Sequence, residues 1–465
     1  MARRPRTIIQ EISIMRIDIL KRSAVLAAFF CALVACGAYT SKIDLDKPDG
    51  FYRSGETATC TVEIFKDGQP LAGEKVRLIT RWEGKLVKTE DRVADGSPMT
   101  VSYTGDKPGW AYFGVQVLGE DGKPIKANSS KSALMRRFKP TTAAEIGAMF
   151  DAEKIRYTVE PPADFDEFWN KRRAEVAAQD LEPKLTELKS GVRGVKLFAV
   201  ELSCPRGIKA TGYLAYPENA APKSLPACLS YLSWANTDAS RGAALVNAKR
   251  GALSFAATWH GLPVGQKAEY YDGILKKRVR GGMTGIADRD KWIMGEISFR
   301  VLCELKFLKS LPEWNGKDLI SIGGSLGGAQ STTAAALDGD VTLALVNVPC
   351  FCEFDGAAVG RKGSIPRRPG SKTPEALKAQ SYFDCAHLAR SIKCDIYVCT
   401  GFADEGCPPS CVYGFYNAIP KGTNKVISTN PKTGHYGTTV NVGGNARIDA
   451  FFKAAKIGEV PAEVK

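Results

Sequence analysis

The chain has 465 residues, of which 44% are hydrophobic and 25% are charged. This composition is typical of globular proteins and excludes fibrous, collagen-like and wholly disordered classes, and the length predicts more than one domain. The formal net charge is +14, but the basic residues are scattered and form no stripe with interleaved aromatic residues, so we expect no nucleic-acid partner.

The N-terminus has the pattern of an export signal. Two basic residues precede an apolar run over residues 24–35, which is too short to span a bilayer but has the length of a signal-peptide core. The run leads into Cys36 in the form of a bacterial lipoprotein box, and ordinary cleavage after Ala38 is the alternative. We therefore expect a signal peptide over residues 1–38 and a periplasmic, extracellular or lipid-anchored protein.

Cysteine is abundant, with 13 residues in the chain. Eleven would remain after Cys36, and an odd number in an exported protein leaves at least one thiol unpaired. Their spacing matches no zinc template. We expect buried free thiols, with one disulfide left open, and neither a metal nor a cofactor.

Residues 40–139 have the pattern of an all-β module. Over residues 57–64 the apolar side chains alternate with polar ones, and Asp67-Gly68 then predicts a turn. Segments 76–82 and 110–117 predict further strands. We predict a small immunoglobulin-like β-sandwich, which serves either as a spacer or structural module, or as a module that binds carbohydrate or a partner.

A proline-marked connector is predicted over residues 140–162. Asp164 and Glu167 then have the spacing of a capping box at the start of a helix. Apolar strands and amphipathic helices alternate from there, which predicts a mostly parallel, doubly wound α/β domain over residues 163–457.

The clearest catalytic motif is Gly323-Gly324-Ser325-Leu326-Gly327. It follows a predicted strand and precedes an alanine-rich helix, which is the context that a G-x-S-x-G nucleophile turn requires. Side chains at the two outer glycines would collide with the neighbouring strand or helix. This motif predicts the α/β-hydrolase fold, with Ser325 as the nucleophile.

A serine nucleophile needs a base, and the chain has three histidines. The chain order in this fold is serine, acid, histidine, which excludes His260. His387 follows Asp384 at a predicted helix start and is interpreted as structural. His435 lies in a glycine-flanked loop and is the predicted base.

The acid is expected just beyond the C-terminal end of a strand, where open α/β sheets place their sites. Asp395 begins its strand and lies at the wrong end, whereas Asp404 follows the same strand. Glu405 is adjacent but would point elsewhere. For the oxyanion hole, we predict the backbone N–H groups of Leu326 and of Trp234, which follows an earlier strand.

From about residue 160 to 455 the chain resembles the acetyl xylan esterase/cephalosporin C deacetylase family. The stretches that carry the resemblance are Asp164–Trp169, Tyr231–Asn236, Gly323–Gly328, Ser381–Leu388 and Asp404–Pro409. The family's nucleophile, acid and base fall on Ser325, Asp404 and His435, and its loop tyrosine falls on Trp234.

The chain departs from the family at several pocket positions. Leu326 replaces a glutamine, residues 258–262 replace an Asp-x-Arg-Gly-Gln-Gly stretch, and Tyr436 replaces a glutamate. The resemblance implies that these positions shape the acyl and alcohol pockets, so Trp259 and His260 are candidate substrate-binding residues.

These patterns together predict a serine esterase, and the resemblance implies that it acts on carbohydrate. The resemblance implies removal of acetyl groups from acetylated xylan or xylo-oligosaccharides through an acyl-enzyme, and leaves a homo-oligomer open. A peptidase or another acyl hydrolase on the same fold is the alternative, and a non-catalytic carbohydrate-binding protein is the third hypothesis. Membrane contact is expected only through the signal or a lipid on Cys36.

Overall fold

The structure is a computed structural model, and it describes residues 39–125, 144–234, 238–279 and 283–435. The predicted signal peptide and the predicted end of the α/β domain lie outside these residues. Among the described helices, none combines the length and the apolar character needed to cross a membrane.

The N-terminal domain is a β-sandwich, as predicted. Its strands are β1 (Tyr39–Leu45), β2 (Phe51–Tyr52), β3 (Thr57–Lys66), β4 (Gln69–Pro70), β5 (Ala72–Trp82), β6 (Lys85–Asp95), β7 (Met99–Thr104), β8 (Gly109–Val117) and β9 (Ala144–Phe150). One sheet contains β1, β3, β4 and β7, and the other has the order β2-β9-β8-β5-β6. Apolar side chains from both sheets form one buried cluster between them.

The alternation that predicted β3 is confirmed, since Ala58, Cys60, Val62 and Ile64 are buried in this core. The residues of the predicted Asp67-Gly68 turn both have positive φ, 52° and 81°, which suits a tight hairpin connection.

The predicted connector over residues 140–162 is wrong for residues 144–150. Residues Ala144–Phe150 form β9, which pairs with β8 from Val115↔Ala144 to Gly109↔Phe150. Alanine, glutamate and methionine favour helices, so local propensity hides a strand that tertiary pairing imposes.

The second domain is built on one large sheet. Its strands are β10 (Lys184–Leu188), β11 (Val195–Ser203), β12 (Lys209–Pro217), β13 (Leu225–Tyr231), β14 (Leu253–Ala257), β15 (Trp314–Gly324), β16 (Leu343–Asn347), β17 (Asp395–Gly401) and β18 (Lys425–Asn430). Within the described residues the order is β10-β11-β12-β14-β13-β15-β16-β17-β18. The strands from β14 to β18 in this order are parallel, and β10, β11 and β12 add an antiparallel edge.

Helices pack on both faces of this sheet. They are α1 (Phe165–Ala178), α2 (Arg241–Lys249), α3 (Ala268–Val279), α4 (Ile293–Ser310), α5 (Leu326–Leu337), α6 (Pro374–Ser381), α7 (Cys385–Leu388) and α8 (Pro409–Ala418). Leu214 of β12 joins the cluster that contains α1, α4 and α5, whereas its neighbour Tyr213 joins the one under α2. Successive strand residues point to opposite faces, so the doubly wound prediction is confirmed.

The predicted capping box at Asp164 is wrong. Asp164 is the N-cap residue of α1, but its side chain makes no capping hydrogen bond. Its carboxylate instead accepts hydrogen bonds from the Tyr382 hydroxyl and from Arg289. A cation and a hydroxyl from distant parts of the chain therefore outcompete the local backbone donors.

The two domains share a buried apolar contact. On β8, Ala111 and Phe113 face the sandwich core, while Trp110 and Tyr112 on the opposite face are equally buried. The residues of this interdomain cluster are Trp110, Tyr112, Met149, Ala152, Ile155, Phe402, Ala403 and Tyr413. The five-stranded sheet of the N-terminal domain is therefore covered on both faces where β8 and β9 run.

Candidate active site

Ser325 occupies the turn between β15 and α5, with φ 58° and ψ −117°. A non-glycine residue rarely has positive φ, and such strain recurs at functional sites. A Cβ atom on Gly323 would lie 2.0 Å from the carbonyl oxygen of Gly327, and one on Gly327 would lie 2.5 Å from that of Tyr231. The strand–turn–helix context is confirmed, and glycine is required at both positions.

A hydrogen-bond chain joins the three side chains that the sequence singled out. His435 Nδ1 lies 2.8 Å from Asp404 Oδ2, and His435 Nε2 lies 3.1 Å from Ser325 Oγ. A neutral imidazole that carries its proton on Nδ1 donates to the carboxylate and accepts from the serine hydroxyl. The arrangement has the geometry in which a histidine can take the proton of a nucleophilic serine.

Asp404 is fully buried and is held by the loop that bears it. Its Oδ1 accepts hydrogen bonds from the backbone N–H groups of Gly406, at 2.7 Å, and Cys407, at 2.9 Å. These two donors leave Oδ2 for His435. Burial lowers the pKa of His435, but the Asp404 carboxylate and neighbouring Cys407 outweigh it, so the net effect raises that pKa.

Cys407 lies beside the hydrogen bonds that join Ser325, His435 and Asp404, and the sequence analysis did not single it out. Within the described ranges, Asp404, Cys407 and His435 form one group whose donor atoms lie within 4.8 Å of one another and could hold a metal ion. The same carboxylate and imidazole form the hydrogen-bond chain to Ser325. Burial raises the pKa of the Cys407 thiol. The only available sequence signal was its place three residues after Asp404.

The cysteines of the described segments are free thiols. The structure describes eleven, of which ten are buried and Cys394 is half-buried. This agrees with the expectation of buried thiols.

The end of β13 lies against the serine turn. The carbonyls of Tyr231 and Leu232 approach Gly327, so the segment that continues to Trp234 leaves the sheet beside Ser325. The Trp234 ring is half-buried and packs on Trp259, with ring centroids 4.6 Å apart. Residues 235–237 of the same loop lie outside the described residues. The roles of Trp234 and Leu326 as oxyanion donors stay predictions.

The two candidate substrate-binding residues are both buried. The backbone carbonyl of Trp259 accepts a hydrogen bond from Arg300, and its ring lies under Trp234. His260 Nδ1 accepts a hydrogen bond from the backbone of Leu262, and its ring packs against aromatic neighbours. Their role in substrate binding stays a prediction.

The residues that the sequence set aside have structural partners. His387 lies between two backbone carbonyls, with Nδ1 2.8 Å from Ser381 O and Nε2 2.7 Å from Val159 O. Glu405 points away from His435 and pairs with Arg81 of the N-terminal domain and with Lys362.

The model of the acetyl xylan esterase (AXE1) family matches residues 150–446, which is well over half of the chain. The acetyl esterase Axe7A of Xylanibacter ruminicola is 27% identical over 297 residues, covering 62% of this chain and 67% of that protein.

Two solved structures share the fold of the second domain. An acetyl xylan esterase from a Paenibacillus species gives a TM-score of 0.56 at 23% identity, covering 65% of this chain and 98% of that one. Acetyl xylan esterase 1 from a Thermoanaerobacterium species gives 0.52 at 21% identity, covering 65% and 97%. The chain thus belongs to the acetyl xylan esterase family and is a carboxylic ester hydrolase with the α/β-hydrolase fold.

Proposed function

We propose that this hydrolase is a serine esterase that removes acetyl groups from the hydroxyls of acetylated xylan or xylo-oligosaccharides. The observation that carries the proposal is the hydrogen-bond chain from Asp404 through His435 to Ser325 on a strained, glycine-flanked turn.

In the proposed reaction, Ser325 Oγ attacks the ester carbonyl carbon while His435 Nε2 accepts the serine proton. The backbone N–H groups of Leu326 and Trp234 stabilise the oxyanion of the tetrahedral intermediate. His435 then donates its proton to the sugar oxygen as the ester C–O bond breaks, which leaves acetyl-Ser325. Water, deprotonated by His435, attacks the acyl-enzyme, and acetate leaves as Ser325 regains its proton.

The substrate class is supported by the relatives and by the chemistry around the turn. The two solved structures described above are named acetyl xylan esterases. Beside the turn, the half-buried ring of Trp234 offers an apolar face, which suits the C–H face of a pyranose ring in a site that fixes orientation with few polar groups. A polysaccharide substrate also fits the export that the N-terminal sequence predicts.

Replacing Ser325 by alanine tests the nucleophile. We expect Ser325→Ala to lower kcat on a soluble acetyl ester by about 10⁴–10⁶-fold, since loss of a triad member has effects of this order. Ser224→Ala, at an exposed turn whose hydroxyl contacts only a local carbonyl, is the matched control. Activity of pure Ser325→Ala within about tenfold of the wild type would contradict the assignment.

The substrate is tested by comparing acetate release from acetylated xylan and xylo-oligosaccharides with hydrolysis of longer acyl esters and a peptide panel. We expect kcat/KM to be highest for the acetylated carbohydrates. A kcat/KM that rises from acetyl to hexanoyl esters, or efficient peptide cleavage, would instead favour another acyl hydrolase.

A further inference from the structure

The N-terminal β-sandwich contacts the two segments that carry the acid and the base of the proposed triad. We name residues 401–407 the acid loop and residues 431–435 the base loop. The two loops are bound to each other, because the N–H of Ala403 donates to the carbonyl of Thr433 at 3.0 Å. A contact with either loop therefore acts on both.

Trp110 of β8 holds the acid loop. Its indole Nε1–H donates to the carbonyl of Phe402 at 2.6 Å, and the Trp110 side chain is fully buried. Phe51 packs edge to face on the Phe402 ring, with centroids 5.2 Å apart. Since a buried carbonyl without a donor is costly, the indole fixes this carbonyl two residues before Asp404.

Gly147 of β9 touches both loops. Its N–H donates to the carbonyl of Pro431 at 2.9 Å. A Cβ atom on Gly147 would lie 1.9 Å from the carbonyl oxygen of Phe402, so any side chain there would push the acid loop away from the strand. The backbone of β9 thus sets the separation between the sandwich and the loops.

Polar contacts surround this junction. Arg81 of β5 pairs with Glu405, next to Asp404, at 3.1 Å. Glu83, which is buried, accepts a hydrogen bond of 2.7 Å from Ser410 at the start of α8. The base loop is held as well, because Lys432 pairs with Asp44 of β1. The contacts thus reach the loops from several strands of the N-terminal domain.

We propose that the β-sandwich is a positioning element of the active site, and that Trp110 and Gly147 are positioning residues that set the placement of Asp404 against His435. The inference rests on the proposed function, because it concerns the acid and base of that triad. A spacer or a carbohydrate-binding module would behave differently, because substitutions in such a domain would leave turnover of a small soluble ester unaffected. A shift of about 1 Å in a catalytic group can cost about 10²-fold in rate, so modest movements of these loops suffice.

The test uses the full chain with Trp110→Phe and Gly147→Ala. Trp110→Phe removes the indole donor but keeps an aromatic ring, and we expect kcat on a soluble acetyl ester to fall about tenfold, and about 10²-fold for Gly147→Ala, with KM changed less than about twofold. The acid limb of the kcat/KM pH profile should also move to lower pH, because a displaced carboxylate stabilises the His435 imidazolium less.

Matched controls separate positioning from stability. Trp82→Phe alters a tryptophan that packs on Tyr103 and Phe150 inside the sandwich, and Gly119→Ala alters a glycine whose Cβ would meet only its own turn. All rates are measured well below each unfolding midpoint. If Gly147→Ala does not fold, Arg81→Met replaces it, with Arg77→Met as its control because Arg77 pairs with Asp91 of the same domain. For Arg81→Met we expect a loss of about threefold in kcat.

Normal kcat and an unmoved acid limb in the test variants, or equal losses in the controls, would overturn the positioning role. Ser325→Ala is measured in parallel. If it is inactive while the positioning variants behave like their controls, this inference alone fails. If Ser325→Ala stays active, both the proposed function and the positioning role are wrong.

Discussion

The two carboxylate oxygens of Asp404 accept hydrogen bonds from different groups. One accepts the backbone N–H groups of Gly406 and Cys407, and the other accepts His435 Nδ1. The backbone of the loop therefore holds the carboxylate independently of its contact with the imidazole. In the proposed reaction, Asp404 orients His435 and stabilises the imidazolium that forms during proton transfer.

Replacing this acid by its amide tests that role. We expect Asp404→Asn to lower kcat by about 10⁴-fold, because the amide no longer favours the tautomer with the proton on Nδ1. The carboxylate raises the pKa of His435, so its removal lowers that pKa and moves the acid limb of the kcat/KM profile to lower pH. Asp395→Asn, at a half-buried hydrogen-bonding partner of Asn424 at the start of β17, should keep both. An unmoved acid limb would contradict the assigned contact.

At the residue scale, the contact of His435 with Ser325 and Asp404 could be predicted because the motif, the chain order and the strand ends leave few choices. The pairing of Asp164 with Arg289 and Tyr382 could not, because its partners lie 125 and 218 residues away. Neither could the burial of His260, since its neighbour Tyr271 joins it only through the packing of α3.

At the element scale, the serine turn brings α5 and β13 into close contact. A Cβ atom on Gly327 would meet the carbonyl oxygens of Tyr231 and Leu232 at 2.5 and 3.2 Å. The first turn of α5 therefore packs on the backbone end of β13, with no room for a methyl group.

We expect Gly327→Ala to separate α5 from β13 and to cost both stability and rate. Overpacking of this kind typically destabilises by about 1–3 kcal/mol, and displacement of Ser325 should lower kcat by about 10²-fold. Gly339→Ala, where a Cβ atom meets nothing within 4 Å, is the control. Thermal unfolding and steady-state kinetics on the two variants check this, and equal behaviour would refute the close approach.

Elements in which apolar and polar residues alternate regularly were predictable from the sequence. Elements whose burial depends on residues far away in the chain were not. β3 alternates because only one face is buried. β8 is buried on both faces, and its Trp110 and Tyr112 were a signal of a second contact surface that the sequence analysis did not use. β10 has mostly exposed residues, so no apolar pattern marks it.

The whole molecule is two domains joined by contacts between residues far apart in sequence. Trp110 and Phe402 are 292 positions apart, and no local pattern reports such a pair. Sequence analysis therefore predicted both fold types correctly. It treated the two domains as independent, although they share a buried apolar cluster. We expect Glu83, which lies in this junction, to make the free energy of unfolding depend on pH.

Burial raises the pKa of Glu83 to about 7, although the hydrogen bond from Ser410 opposes the shift. Folding thus favours the protonated form. The stability that this proton contributes is fully present below the ordinary pKa of 4.5, and it is lost as the pH rises through about 7. Since one pKa unit corresponds to about 1.4 kcal/mol, the total is about 3 kcal/mol.

We therefore expect Glu83→Gln, which mimics the protonated form, to gain free energy of unfolding relative to the wild type by about 2–3 kcal/mol between pH 5 and pH 8. Urea-induced unfolding at the two pH values measures this. Glu120→Gln, at an exposed turn, should show no such difference. A gain that does not depend on pH would mean that Glu83 does not take up a proton on folding.

The close approach of Gly147 to Phe402 limits how this chain can be recombined. A chimaera that exchanges residues 39–150 for another β-sandwich would need, opposite the acid loop, a strand position without a side chain and an N–H donor in place of the indole. An exchange of domains should therefore move the N-terminal segment together with the loops after β17 and β18.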